Sequence, residues 1–411
     1  MLCIVTQMNR IPLSFVAFAG FGIFWGTWGA ALPAMRGTAG LSDAELGGAL
    51  LFVGLGAMPA MLFTGRAVDR FGTRIAGLLL ICLALAGLLV ALFGQNLIAV
   101  AAGMTLVGAT SGASDVAANA LAGLEEARSR RQVITLAHAV FSSFVVIGSL
   151  GAAALFGAGG GAQLTFLVAG FAIVASGVVI ATRGSGRGSG PGSGSASRRA
   201  AGSPPALRTP MSRRSLVPLL PFIAVGAVGA LGFAAENAHQ SWGAIYLADE
   251  LNASPALAAV APATFAACAA LTRFAVGVSK RLPSTVLLVG GAAIAVAGAL
   301  VIAAAESIGV ALVGIALAAA GTSVLFPTLL SRALRGVSDN VRGRTTSAIA
   351  TTAYLGFLLG PVYVGLLSGA VGLRGSMIGI AVLAGAFAVL APLVLQHRAF
   401  DAVDESAMRK N

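Results

Sequence analysis

The chain has 411 residues, of which 57% are hydrophobic and only 10% charged, with a formal net charge of +12. Soluble domains carry roughly 25% charged residues, so this composition, with a mean hydropathy of +0.93, excludes a water-soluble fold and indicates a polytopic α-helical membrane protein. The 55 glycines agree, because small residues let helices approach closely in lipid.

The basic excess does not point to nucleic acid. Lys and Arg fall in short segments between apolar runs, and no basic face interleaved with aromatics exists to receive phosphates. Cys3, Cys82 and Cys268 have no CxxC spacing, so neither a disulfide nor a metal site is implied.

Twelve apolar stretches are long enough to cross a hydrocarbon layer of ~30 Å at about 1.5 Å per residue. They cover residues 13–35, 46–68, 75–94, 97–120, 133–156, 162–182, 216–247, 255–278, 284–304, 308–331, 345–368 and 373–395. The first carries Trp25 and Trp28 one turn apart on one face. Tryptophan is common in interfacial belts, and it equally suits a cavity wall on which flat solutes stack.

The fourth stretch places Ser111, Asp115 and Asn119 at successive i+4 positions, hence on one helical face. An ionisable residue in lipid is costly and marks solute or ion handling by default. The reading is a proton-titratable carboxylate with an amide that orients it or the solute; the alternative is a helix–helix hydrogen bond. His138, with Ser142 at i+4, opens the fifth stretch. It suits pairing with Asp115, relaying a proton or donating to a solute hydroxyl, or else a plain interfacial position.

After the sixth stretch, Gly184–Ala206 is built of Gly, Ser, Arg and Pro, the composition of a flexible linker. The seventh stretch then holds the densest polar cluster. Glu236, His239, Gln240 and Gly243 fall at i, i+3, i+4 and i+7, flanked by Asn237 and Trp242. One face thus carries a carboxylate, an imidazole and an amide, suited to a polyhydroxylated ligand with Trp242 as a stacking surface. The alternative is that the helix ends early and the cluster sits in outer water. Arg273, near the inner end of the eighth stretch, reads as a snorkelling residue or a gate brace. Tyr354, with Thr351 and Thr352, is a weaker lining candidate.

Basic residues set the orientation. Arg66, Arg70 and Arg74, Arg128 to Arg131, seven arginines from Arg183 to Arg214, Lys280 and Arg281, and Arg332 to Arg344 all fall on one side. The other side holds only Arg36 and Arg374. By the positive-inside rule both termini are cytoplasmic. The expected organisation is an N-terminal six-helix bundle (1–182), a linker (183–215), a C-terminal six-helix bundle (216–396) and a tail (397–411). A faint repeat, Trp28-Gly-Ala-Ala-Leu against Trp242-Gly-Ala-Ile-Tyr, fits two parallel halves.

Gly65-Arg-Ala-Val-Asp69-Arg70-Phe-Gly72-Thr-Arg74, between the second and third stretches, resembles the G-x-x-x-D-[RK]-x-G-x-[RK] loop of the major facilitator superfamily. Gly65 suits close helix contact, Gly72 a tight reversal, and Asp69 pairing with a basic group or a helix N-terminus. A closer resemblance is to the bacterial YbjJ-like inner-membrane transporters, related to the fucose:proton symporter group. It rests on Trp28-Gly-Ala-Ala-Leu-Pro33, Leu41-Ser-Asp-Ala-Glu-Leu-Gly47, Ala113-Ser-Asp115-Val-Ala-Ala-Asn119, Leu136-Ala-His138-Ala-Val-Phe-Ser142 and Ala235-Glu236 to Trp242. The C-half counterpart of the Gly65–Arg74 loop is degenerate. The arginine that many drug-efflux members carry in the fourth span is missing.

No nucleophile-and-base set, phosphate-binding loop, metal-ligand spacing or dinucleotide fingerprint appears. The chain therefore reads as a non-enzymatic secondary transporter without cofactor, drawing on an ion gradient or a second solute. The expected function is proton-coupled transport of a small hydrophilic solute such as a sugar, across the bacterial inner membrane, by a monomer. Asp115 and Glu236 are the expected proton carriers. Trp25, Trp28, Asn119, His138, Asn237, His239, Gln240 and Trp242 are the expected solute contacts, and Gly65, Asp69, Arg70, Gly72 and Arg74 the gate. Drug or metabolite efflux and a non-transporting sensor are the alternatives.

Overall fold

The computed structural model describes residues 11–129, 132–184, 219–279, 282–335, 337 and 339–396, with backbone alone for 339–343. Most of the expected linker, the tail, Cys3, Arg130, Arg131, Lys280 and Arg281 lie outside the described residues.

Among those residues the chain is helical, with no strand. The helices are α1 (Leu13–Ala39), α2 (Asp43–Phe71), α3 (Arg74–Phe93), α4 (Leu97–Ser129), α5 (Val133–Gly157), α6 (Ala162–Arg183) and α7 (Leu220–Glu250). Then come α8 (Pro255–Val278), α9 (Val286–Ala303, opening with a π turn at Val286–Gly290) and α10 (Ile308–Ala333). The final helical run, Asp339–Leu395, contains 57 residues, far more than one crossing needs. Gly372 divides it with φ 72° and ψ 173°, a backbone no other residue adopts easily, into α11 before it and α12 after it. The expected all-helical class matches, and the helices accommodate twelve crossings.

Local sequence explains several ends. Ser42 and Glu45 form a reciprocal capping box that starts α2. Gly72 ends it, with φ 75° and its N–H on the Val68 carbonyl, so the chain reverses into α3 within two residues. Two features depart from the expected spans. Helix α4 runs on to Ser129, and α10 breaks at Ser323–Val324.

The helices pair in a repeated pattern. Helix α1 packs on α5, α2 on α4 and α3 on α6; in the same way α7 packs on α11 and α8 on α10. Glycine makes these seams possible. A Cβ on Gly148 would press on the Ile23 backbone, and one on Gly360 on the Ala234 backbone, so the helices touch main chain to main chain. The two sets of six then meet through α1, α2 and α5 on one side and α7, α8 and α11 on the other.

That meeting is lopsided. At the end bearing the α1–α2 turn, Gly47 backs onto Gly365, Ser149 Oγ donates to the Ala259 carbonyl at 2.6 Å, and Arg36 bonds Asp249 across the halves. At the opposite end the side-chain contacts among the described residues stay within one half. Glu125 accepts from the backbone N–H groups of Leu13 and Ser14 and from the Ser14 hydroxyl, Arg74 Nε donates to the Gly184 carbonyl, and Arg335 donates to Ser284. The molecule is shut at one end.

Candidate functional site

Between the halves lies a cavity of about 490 Å³, lined by α1, α2, α4, α5, α7, α8 and α11. Its walls come from the middle portions of these helices. Six of the expected solute contacts and proton carriers reach it, Trp25, Trp28, Asp115, Glu236, Asn237 and Gln240, as does Tyr354, the weaker lining candidate. Most of the remaining lining is apolar or aromatic, with Phe21, Phe141, Phe233, Tyr354 and Phe357 among it.

Asp115 projects from α4. Asn119, one turn on, donates its amide to the Asp115 carboxylate at 3.0 Å and to the Asp115 carbonyl at 2.9 Å. With its NH₂ so engaged, Asn119 offers its oxygen to His138 Nε2, 3.3 Å away on α5. The amide oxygen only accepts, so His138 presents an Nε2–H. His138 is exposed, with its ring 4.8 Å from Phe18. Asn119 and His138 therefore stand behind Asp115 and form a polar thread from the cavity. The carboxylate of Asp115 forms no salt bridge among the described residues.

The opposite wall is organised differently. Glu236 Oε1 accepts from Arg273 Nη2 at 2.8 Å, and Gln240 Nε2 lies 3.4 Å from the same oxygen. Arg273 Nε donates to the Ser323 carbonyl at 3.1 Å, at the break in α10. A helix ends there with unsatisfied carbonyls and partial negative charge, and the guanidinium meets both. Arg273 thus joins α7, α8 and α10 while lining the cavity, a position that snorkelling does not describe. As an arginine inside an apolar helix it carried the signal itself, but its length concealed which way it reached.

Four of the eight expected solute contacts lie outside the cavity lining: Asn119 and His138, which stand behind Asp115, and Trp242 and His239 on α7. Trp242 is fully buried and donates its indole N–H to the Pro361 carbonyl at 3.1 Å, so it locks α7 to α11 and leaves no ring face for a solute. His239 is buried outside the cavity lining, and its Nε2 has no hydrogen-bond partner among the described residues. Asn237 reaches the cavity, but its amide donates to the Phe357 carbonyl, again tying α7 to α11. Trp25 presents more of its ring than Trp28, which is nearly buried and stacked on Phe24 at 6.0 Å.

The Gly65–Arg74 segment sits at the end away from the α1–α2 turn. Gly72 makes the reversal, Arg70 lies 5.4 Å from the Phe71 ring centroid, and Asp69 is exposed. A Cβ on Gly65 would meet nothing within 4 Å. Among the described residues, the close helix contact expected of Gly65 is absent in this conformation.

A two-half helical bundle around a central cavity, shut at one end, is matched by sequence. Residues 13–361 and 240–410 match the profile of the Major Facilitator Superfamily. The chain belongs to that superfamily. It is 29% identical over 392 residues to the uncharacterised transporter y4wD of Sinorhizobium fredii, covering 92% of this chain and 97% of that one. An uncharacterised MFS-type transporter of Yersinia pestis is 28% identical over 371 residues, 89% of each. Among solved structures, a bacterial homologue of the lysosomal transporter Spinster, inward-facing and occupied, superposes with a TM-score of 0.72 at 18% identity, covering 95% of this chain and 96% of that one. The inward-open xylose transporter XylE of E. coli gives 0.68 at 12% identity, with 94% and 96% covered. The nucleoside transporter NupG gives 0.69 at 12%, with 93% and 98% covered. At these identities the structural likenesses describe the fold alone. As a superfamily member the chain is a multi-pass membrane transporter.

Proposed function

We propose that this transporter is a proton-coupled carrier of a small solute, working by alternating access between its two halves, with Asp115 as the proton carrier. The observation that carries this reading is the contrast between the two cavity carboxylates. Glu236 is held in a salt bridge with Arg273, whereas among the described residues the Asp115 carboxylate has only the Asn119 amide. A proton is then the means of neutralising Asp115, and His138, a titratable group, stands one hydrogen-bonded residue away through Asn119. Of the two expected proton carriers, Asp115 is the one this geometry favours.

Direction follows from the same logic. The end shut by Arg36, Asp43 and Asp249 is the one with few basic residues, so by the positive-inside rule it faces outward. The conformation is then inward-facing, both termini are cytoplasmic and the membrane is the bacterial inner membrane. Gly65, Asp69, Arg70 and Arg74 lie at the open inner end, where they would close in the other half of the cycle.

A second reading, efflux of an amphiphilic compound, is favoured by the aromatic lining from Phe21, Phe141, Phe233 and Phe357. Proteoliposomes separate the readings. Uptake driven by an imposed pH gradient, lost in Asp115→Asn while solute exchange persists, supports coupled import. Equal accumulation by parent and Asp115→Asn sinks the proton assignment.

A further inference from the structure

Arg273 is too open to be only a brace. Its side chain is 46% exposed, whereas that of its partner Glu236 is 9% exposed. A guanidinium carries five N–H donors in a planar fork. Nε serves the Ser323 carbonyl and one Nη2 proton serves Glu236. The other donors have no partner among the described residues, on a side chain that lines the cavity. The pair therefore presents more of its cation than of its anion to the cavity.

The same cavity has an aromatic wall, whose rings are inclined to one another by 51° to 84°. The rings of Phe233, Tyr354 and Phe357 lie with centroids 5.6 to 6.2 Å apart. Phe233, Tyr354 and Phe357 line the same cavity as Asp115, Glu236 and Arg273.

We infer that the cargo is a small organic monoanion, a carboxylate on an aromatic or other apolar body, whose carboxylate docks on the free edge of Arg273. A planar fork matches a carboxylate through two parallel hydrogen bonds, and charge assistance makes these stronger than bonds to a neutral hydroxyl. The inference rests on the proton-coupled reading for its charge balance. Glu236 and Arg273 cancel, so the empty cavity carries the single negative charge of ionised Asp115. One proton on Asp115 and one monoanion on Arg273 restore that same total. Empty and loaded carriers then reorient with equal charge. A neutral solute taken with a proton would instead change the charge within the cavity at every step.

The test uses the full chain in lipid nanodiscs, with benzoate and benzamide as probes of nearly equal shape. Benzoate should raise the melting temperature and benzamide should not. Arg273→Gln should weaken benzoate binding by about tenfold or more, the scale of a lost charge-assisted pair, and Arg273→Lys should restore part of it. Glu236→Gln should keep the preference for the acid. Because Arg273→Gln strands the Glu236 charge, the double variant Arg273→Gln with Glu236→Gln keeps the test valid if the single variant does not fold, and it too should lose the preference. Equal binding of acid and amide, no stabilisation by benzoate, or an unchanged preference in the double variant overturns the inference.

Proton coupling is read separately, by a lumenal pH dye in proteoliposomes with protein-free vesicles as the baseline for passive entry. Protein-dependent proton flux with a neutral solute, lost in Asp115→Asn, leaves the coupling reading standing and defeats the monoanion. Benzoate binding that depends on Arg273 but brings no such flux does the reverse.

Discussion

Gly47 of α2 and Gly365 of α11 back onto each other across the two halves: a Cβ on Gly47 would lie 2.9 Å from the Gly365 Cα, and one on Gly365 2.8 Å from the Gly47 Cα. Neither position accommodates a side chain without moving main chain. The shut end of the molecule is therefore closed by backbone contact, which a single methyl group would disturb.

Gly47→Val should accordingly wedge that end apart and favour the opposite conformation. A cysteine introduced at Ser241, which lines the cavity, should react faster with an impermeant thiol reagent applied from the α1–α2 side. An unchanged labelling rate would mean that the seam does not hold the end closed.

Asp115→Asn should abolish accumulation driven by a pH gradient and spare exchange of solute at equal concentrations. Asparagine keeps the hydrogen-bonding reach toward Asn119 but has no charge to neutralise. His138→Ala should slow gradient-driven uptake without abolishing it, because it removes the far end of the thread and leaves the carboxylate. Both are measured by initial uptake rates in proteoliposomes with matched protein content.

Trp242→Phe should lower stability by about 1–2 kcal/mol through the lost indole hydrogen bond and the smaller ring. Solute affinity should be unaffected, since the side chain faces α11 and not the cavity. Thermal unfolding beside a binding isotherm separates the two effects, and a large loss of affinity would return Trp242 to the site.

Asp69→Asn should slow turnover more than it weakens binding, because the Gly65–Arg74 segment lies far from the cavity. Comparable turnover in variant and parent would remove the gating role.

The helices were legible because apolar length is a strong signal where water is absent. The break of α10 at Ser323–Val324 lies inside an expected span, although Thr322-Ser323 and Pro327, which has no N–H to give the Ser323 carbonyl, mark it in the sequence; the π turn at Val286–Gly290 follows Pro283-Ser284-Thr285 but has no breaker of its own. At the site, Asp115, Asn119 and His138 could be read from spacing, being close in sequence or on adjacent helices. Trp242 and Arg273 exchanged roles for a different reason. Lipid and protein core are equally apolar, so sequence pattern does not say which face of α7 or α8 points inward. That is decided by α10 and α11, roughly a hundred residues away in α7's case, whose carbonyls at Ser323 and Pro361 claim the polar atoms.

The bond from Arg36 to Asp249 joins the halves at the surface, where the Asp249 side chain is 41% exposed. Pairs of this kind contribute only about 0–1 kcal/mol and fade with ionic strength. One kilocalorie is still a factor of about five in the ratio of two states. How long the empty carrier waits in each orientation is thus adjustable at a place that never meets the cargo. Related carriers could share one diet and differ in tempo through a single surface charge, and saltier surroundings would reset the same clock without any change in the protein.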